Sequence, residues 1–304
     1  MIKTVSIIGM GALGVLYGSQ LLKHMPKHDL RIIADKDRII RYQRDKIFCN
    51  GECCEFNYVD STETCEPADL VIFSVKYSGL HEALEAVKNQ IGPDTTIISL
   101  LNGISSESII SKTYGEDKIL YCVAQGMDAV RTQNHLTYQH MGTLFFGDRN
   151  PGEISLQTKS IAEFFTKMNI PYQIDSNMAK RMWGKFMLNV GVNQTAAAYV
   201  CNYGGVQKES PERETMISAM REVVTLSEKA GINLTEEDIN YWLKVISPLN
   251  PKGKPSMQQD IEAKRHTEVE LFAGTVLSMA EKYGLDTPTN LALYNKILEI
   301  ESSF

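Results

Sequence analysis

A chain of 304 residues with 43% hydrophobic and 22% charged side chains is too long for most single cores, and two soluble globular domains are expected. Its net charge of -6, with no stretch concentrating one sign, argues against the basic surface that a nucleic-acid binder needs to neutralise phosphates. No run has the length of a membrane span, and the amino terminus lacks the uninterrupted apolar region and cleavage site of a signal peptide, so a cytoplasmic protein without membrane association is expected.

Thr4 to Ile8 is a short β-branched run ending in Gly9-Met-Gly11-Ala-Leu-Gly14 and followed by the helical pattern Val15, Leu16, Leu21, Leu22. This reads as strand, tight turn and helix. Gly9 permits the turn, Gly11 removes the side chain that would block a pyrophosphate, and Gly14 lets the helix lie close to the strand. The backbone N–H groups of Ala12, Leu13 and Gly14 at the helix start would then meet the phosphates, with the helix dipole in favour. A lone glycine pattern of this kind is weak evidence, but here the strand before it and the helix after it supply the context that dinucleotide binding requires.

Leu30 to Ala34 is a second strand ending in Asp35, about twenty residues past the last glycine, where the ribose-reading residue of such a site belongs. A carboxylate there accepts hydrogen bonds from both ribose hydroxyls and repels a 2′-phosphate, while Lys36 and Arg38 stand close enough to offset the repulsion. The competing reading is a solvated turn of mixed charge. The cysteines Cys49, Cys53, Cys54 and Cys65 cluster without a C-x-x-C pair or a nearby histidine, so with Cys122 and Cys201 they are read as free thiols and no metal site is expected.

Asp69 to Val75 is a continuous apolar strand of the kind buried on both faces of a parallel sheet, and it delivers Lys76 at the carboxyl edge where open α/β sheets bind ligands. A helix over Leu80 to Val87 precedes another buried strand, Thr95 to Leu101, ending in Asn102-Gly103 at the same edge. Taken singly, Lys76 and Asn102 are equally well explained as polar residues leaving the sheet into water. Strands at Ile119 to Val123, His135 to Tyr138 and Thr143 to Gly147, a helix at Gln157 to Met168 and a strand at Pro171 to Ile174 complete the alternation of a Rossmann-like doubly wound sheet in residues 1–175.

After Asp175 the strand signals stop, and residues 176–304 are expected to form an all-helical domain. Its helices are placed at 176–202, Glu212 to Ala230, Glu236 to Val245, Met257 to Tyr283 and Thr289 to Ile300. In the first of these, Lys185, Asn189 and Asn193 recur at steps of four on a segment otherwise made of Met182, Trp183, Phe186, Met187, Leu188, Val190 and Val192. Steps of four on a helix give one gently spiralling polar line. The lysine either snorkels to water or is presented to a ligand at the seam with the cofactor domain. Ser256, Asp260 and Glu268 form a second line at steps of four and eight along the single helix expected from Met257, although a glutamate in R-H-T-E-V-E is on its own an ordinary solvated residue.

The ordered set of Gly9-x-Gly11-x-x-Gly14, S-V-K ending in Lys76, Asn102-Gly103, K-F-M-L-N-V-G-V-N, and S-M-Q-Q-D followed by R-H-T-E resembles the ketopantoate reductase, or 2-dehydropantoate 2-reductase, family over nearly the whole chain. The resemblance implies that Lys185 is the catalytic acid assisted by Glu268, that Asn189, Asn193 and Ser256 hold the substrate, and that Lys76 and Asn102 lie at the junction of cofactor and substrate. It further implies reduction of 2-dehydropantoate to pantoate by NAD(P)H in the synthesis of pantothenate, a coenzyme A precursor, and a small 2-oxo acid as the partner, with a homodimer as the candidate assembly. The chemistry agrees, because reduction of a 2-oxo acid needs a hydride on the carbonyl carbon and a proton donor where negative charge develops on the oxygen.

Two departures stand out. The family commonly has an arginine directly after the second strand, and Asp35 cannot make its charge-assisted contact with a 2′-phosphate. At an effective dielectric near 20, a like-charge pair about 4 Å apart costs on the order of 4 kcal/mol before solvent and salt reduce it, so the family default of NADPH is tipped toward NADH. The family also often has an asparagine where this chain has Gly253, which leaves open another branched or hydroxylated 2-oxo acid. A dinucleotide sensor without turnover is the reading from a different class; it has no need for a proton donor at the hydride edge.

Overall fold

A computed structural model of the chain describes residues 1–152 and 154–304, which divide into two compact units, Met1–Met178 and Ala179–Phe304. In the first, the chain alternates β1 (Val5–Ile8), α1 (Ala12–His24), β2 (Leu30–Ala34), α2 (Lys36–Asp45), the two-residue strands β3 (Phe48–Cys49) and β4 (Glu52–Cys53), β5 (Asn57–Asp60), β6 (Leu70–Phe73) and α3 (Leu80–Ala86). It continues through β7 (Thr96–Ser99), α4 (Ser106–Tyr114), β8 (Ile119–Gln125), β9 (Val130–Thr132), β10 (His135–Thr137), β11 (Thr143–Gly147), α5 (Leu156–Lys167) and β12 (Tyr172–Ile174).

Eight strands form one sheet in the order β12-β11-β8-β7-β6-β1-β2-β5. From β8 to β5 all neighbours are parallel, β11 runs antiparallel to β8, and β12 is parallel to β11. The chain leaves β1 toward β2 and β5 on one side and toward β6, β7 and β8 on the other, so the strand order reverses between β1 and β6. That reversal opens a crevice at the carboxyl ends of the strands, the place where sheets of this kind bind ligands.

Every residue of β1, β6 and β7 is buried. The period of two divides their side chains between two cores. Ile7, Ile32, Ile72 and Ile98 face Leu16 and Leu21 of α1, while Ile8, Ile33, Val71, Phe73 and Ile97 face Leu80 and Leu84 of α3. Each such side chain contributes about 1.5–3 kcal/mol of burial, so the sheet is held from both sides. The strand expected at His135 exists but belongs elsewhere: β10 pairs with β3 and β9 in a four-stranded sheet of order β4-β3-β10-β9. Strands of two or three residues carry too little periodicity to announce their partners.

Among the described residues the second unit contains helices and no strand: α6 (Met178–Ala198), α7 (Tyr203–Gln207), α8 (Pro211–Lys229), α9 (Glu236–Ile246), α10 (Ser256–Glu262), a π-helical turn at Glu270–Gly274 leading into α11 (Thr275–Tyr283), and α12 (Pro288–Glu301). Among the described residues no helix is long and apolar enough to cross a membrane. The single helix expected over Met257 to Tyr283 is instead broken after Glu262, so Glu268 does not share a helix face with Ser256 and Asp260. Lys264 takes a left-handed φ of 51°, its N–H bonds to Ile261 O at 3.0 Å and that of Arg265 to Asp260 O at 2.9 Å. This closes the last carbonyls of α10 in the way that usually takes a glycine, and a lysine in that position gives no sequence signal for a stop.

The closest approach in the first unit is at Gly14, where an added Cβ would lie 2.0 Å from Gly9 O and 2.6 Å from Ser74 Oγ. Gly14→Ala must push α1 off β1, and we expect a loss of at least about 1–3 kcal/mol, the usual cost of overpacking, in urea unfolding of the purified protein. A variant as stable as the parent would show that this helix can shift without cost.

Candidate functional site

The turn after β1 is built by steric necessity at two of its three glycines. Gly9 has φ +95° and its Cβ position falls 2.8 Å from Ser74 C and O, and Gly14 is blocked as described above. Ser74, just past β6, donates its hydroxyl to Gly9 O at 2.5 Å and Ile8 O at 3.1 Å, tying the turn to the neighbouring strand. Gly11 differs: a Cβ there would meet Ser74 O at an ordinary 3.6 Å. Protein packing therefore does not demand a glycine at 11, whereas close approach of a phosphate would. Gly11 is the N-cap of α1 with no side-chain cap, and the first turn from Ala12 through Gly14 holds no acidic residue, so its N–H groups and dipole suit an anion.

Asp35 follows β2 and caps α2, accepting from Arg38 N at 2.7 Å, a contact worth about 1 kcal/mol. Its second oxygen lies 3.3 Å from Arg38 Nε. Arg38 in turn donates Nη1 to Glu82 Oε1 at 2.7 Å and Nη2 to Glu82 Oε2 at 3.3 Å, across to α3. Arg38 is therefore held between two carboxylates, which keep it charged. Lys36 is exposed, and its charge helps the Thr62 hydroxyl and N–H hold the Asp60 carboxyl below the usual range. Ala34, Asp35, Arg38, Thr62, Glu82 and Asn89 line a cleft of about 390 Å³ at this edge. Glu82 was not legible as part of it, since nothing local marks one glutamate of an amphipathic helix.

Lys76 is exposed just beyond β6, and Asn102 is half-buried in the loop between β7 and α4, beside Gly103 with φ +93°. Both lie at the carboxyl edge of the sheet, as expected from the strands that carry them.

On α6, Asn189 and Asn193 are 9% and 7% exposed, and Lys185 one turn earlier is half-buried. Asn193 Oδ1 accepts from Met257 N at 3.3 Å and Ser256 Oγ at 3.0 Å, the first residues of α10, and its Nδ2 donates to Asn189 Oδ1 at 3.1 Å. A backbone N–H can only donate, so the Asn193 oxygen must face α10 and its nitrogen must face Asn189. The orientation of Asn189 follows: its oxygen is used and its Nδ2 is left buried without a partner. An orphaned amide donor costs about 1–3 kcal/mol, so the site is complementary to a ligand oxygen. Structure thus joins Asn189, Asn193 and Ser256 in one polarised chain that ends in an open donor a helical turn beyond Lys185.

Glu268 is half-buried two residues before the π-helical turn begins at Glu270, a feature common at functional sites. The segment that delivers it is pinned by a residue the sequence did not single out. Glu301, at the end of α12, accepts from Thr267 N at 2.8 Å, Thr267 Oγ1 at 2.6 Å and His266 Nδ1 at 3.0 Å. Asp260 is held by Arg265 Nε at 2.8 Å, which closes the same bend. Gly253 has its own steric reason: a Cβ there would lie 3.2 Å from Tyr203 Cδ2 and 3.0 Å from Asn250 O. No group of metal-ligating side chains occurs among the described residues, and the six cysteines are free.

The glycine turn on a doubly wound sheet defines a dinucleotide-binding fold, and the same chain carries the lysine–asparagine line on its helical unit. Sequence profiles place it further: that described as "Ketopantoate reductase PanE/ApbA" matches residues 5–151, and "Ketopantoate reductase PanE/ApbA C terminal" matches residues 177–301. The chain belongs to the ketopantoate reductase family. It is 27% identical over 289 residues to the 2-dehydropantoate 2-reductase of Streptococcus pyogenes serotype M6, covering 93% of each chain. Among solved structures it is similar to D-mandelate dehydrogenase with NADH and anilino(oxo)acetate, at TM-score 0.87, 22% identity and 99% of both chains. It is also similar to the dimeric ketopantoate reductase of Staphylococcus aureus, at TM-score 0.80, 18% identity and 99% of both chains.

Burial pushes the Glu301 carboxyl up, but the hydrogen bonds from Thr267 and His266 outweigh it and hold the carboxyl below its ordinary value of 4.5. A depressed carboxylate contributes stability that is present above the unfolded value and lost as pH falls through the folded one. Glu301→Gln should therefore be less stable than the parent by about 1–2 kcal/mol at pH 7, with the gap closing as both are acidified below pH of about 4. Urea midpoints across pH measure this; a gap independent of pH would mean that the charge of Glu301 contributes nothing.

Proposed function

We propose that the protein reduces 2-dehydropantoate to pantoate with a reduced nicotinamide dinucleotide, within the synthesis of pantothenate. The observation that carries this reading is the open Asn189 donor fixed one helical turn from Lys185, together with membership of the family. When bound, the dinucleotide supplies the hydride to the carbonyl carbon. Gly9, Gly11, Ala12, Leu13 and Gly14 hold its pyrophosphate, Asp35 its ribose hydroxyls, and Lys76 and Asn102 stand at the sheet edge beside it. The Lys185 ammonium stabilises the developing oxyanion and donates its proton to that oxygen, giving the 2-hydroxy acid. Asn189 Nδ2 donates to a substrate oxygen, Asn193 and Ser256 hold that amide in place, and Glu268 assists the lysine.

Asp35 favours NADH while leaving NADPH usable, in accord with its carboxylate and with the Arg38 guanidinium already being shared between Asp35 and Glu82. Gly253, pressed against Tyr203, supports a second reading in which the same chemistry acts on a different branched 2-oxo acid. The dimeric state described for the S. aureus enzyme is the assembly we expect, and sedimentation of the purified chain would test it.

A panel of 2-oxo acids, followed by loss of reduced-cofactor absorbance, separates these readings: 2-dehydropantoate should give the highest kcat/KM, and reduction of no member of the panel would sink both. Lys185→Ala should lower turnover by about 10²-fold to 10⁴-fold with cofactor affinity little changed, the usual worth of a positioned proton donor. Near-normal turnover in that variant would remove Lys185 from the mechanism. Asp35→Asn retains a good helix cap, so its effect reports on the cofactor rather than on α2, and the ratio of kcat/KM for NADPH over NADH should rise. A parent enzyme that already prefers NADPH by about a hundredfold would overturn the assignment of Asp35.

A further inference from the structure

The Arg38–Glu82 pair spans the cleft edge on which Asp35 stands. All three nitrogens of the Arg38 guanidinium are engaged: Nη1 and Nη2 by the two oxygens of Glu82 at 2.7 Å and 3.3 Å, and Nε by Asp35 Oδ2 at 3.3 Å. The other cation lining the cleft also faces a carboxylate, Lys88 Nζ standing 3.8 Å from Glu85 Oε2. A guanidinium presents a planar fork that suits a carboxylate or a phosphate equally, so the two compete for it directly.

We infer that Glu82 is a specificity-determining residue for the dinucleotide: it occupies the fork of Arg38 that a 2′-phosphate would otherwise take. The inference rests on the reading of this edge as the ribose end of a nicotinamide cofactor site. Asp35 alone is a local obstacle to a 2′-phosphate, since the cation three residues later would be free to swing in and offset it. Glu82, contributed by a different helix 44 residues away in sequence, removes that offset. The pair is exposed, with side chains 43% and 60% accessible, so it is weakly held and is not what keeps α2 and α3 in place. Removing Glu82 therefore changes which anion Arg38 serves without dismantling the wall of the cleft.

The test is Glu82→Gln, which keeps the size and removes the charge, compared with the parent and with Arg38→Ala/Glu82→Gln. The ratio of kcat/KM for NADPH over NADH should rise about three- to tenfold in Glu82→Gln, carried by the KM for NADPH, in proportion to the modest strength of an exposed pair. The gain should shrink with added salt and vanish in the double variant. An unchanged ratio, or a gain that survives loss of Arg38, overturns the role of Glu82. Calorimetry with ADP-ribose and its 2′-phosphate separates this outcome from a failure of the functional reading. If no 2-oxo acid is reduced but Glu82→Gln still tightens the 2′-phosphorylated ligand relative to ADP-ribose, the assignment of Glu82 stands and only the reaction is wrong. Binding of neither ligand to the parent overturns both.

Discussion

The backbone N–H of Met257 can only donate, and the order of the helical unit's polar centre follows from that. It fixes the Asn193 oxygen toward α10, which forces the Asn193 amide nitrogen onto Asn189 and leaves the Asn189 nitrogen as the one end of the chain that has nothing to bond. A side chain from α6 thereby satisfies an orphan donor at the start of α10 and, in the same contact, sets the polarity of the site. Hydrogen bonds in such a row polarise one another in a medium of low dielectric, so the open donor at its end is a stronger one than an isolated carboxamide. Catalysis by preorganised dipoles needs this kind of arrangement, since groups oriented before the ligand arrives need no reorganisation during the reaction.

The dinucleotide end of the first unit is organised by exclusion. Gly14 and Gly9 approach so closely that no side chain fits between α1 and β1, and the Ser74 hydroxyl locks the turn to β6. The result is a helix start whose N–H groups have no side-chain cap, next to a position, Gly11, where the protein itself leaves room. Farther along the same edge the logic is one of pairing: each cation lining the cleft is answered by a carboxylate, Arg38 by Asp35 and Glu82, and Lys88 by Glu85.

The clamp around Glu301 shows how much the placement of Glu268 depends on chain that is remote from it. Glu268 stands after a break in the helix, and the break is stabilised by a left-handed Lys264, by Arg265 on Asp260, and by Glu301 accepting three hydrogen bonds from Thr267 and His266. Without those contacts the run from Met257 would be free to continue as one helix, and Glu268 would rotate with it to a different face.

The sequence by itself determined the strand–turn–helix at the amino terminus, the alternation of the sheet, the change to helices near residue 178, and the alignment of Lys185, Asn189 and Asn193. Each of these is written in short-range terms: a glycine at a position that tolerates no Cβ, apolar residues at a period of two or 3.6, polar residues one helical turn apart. Only the tertiary structure decided the break at Lys264, the partner of β10, the orientation of the two asparagines, and the capture of Arg38 by Glu82. Those features depend on contacts between residues far apart in the chain, such as Thr267 with Glu301, Arg38 with Glu82, Met257 with Asn193 and His135 with Phe48. Local propensity has no term for such pairs: a lysine does not advertise a left-handed turn, nor a surface glutamate the arginine it will hold, until the elements that carry them are packed.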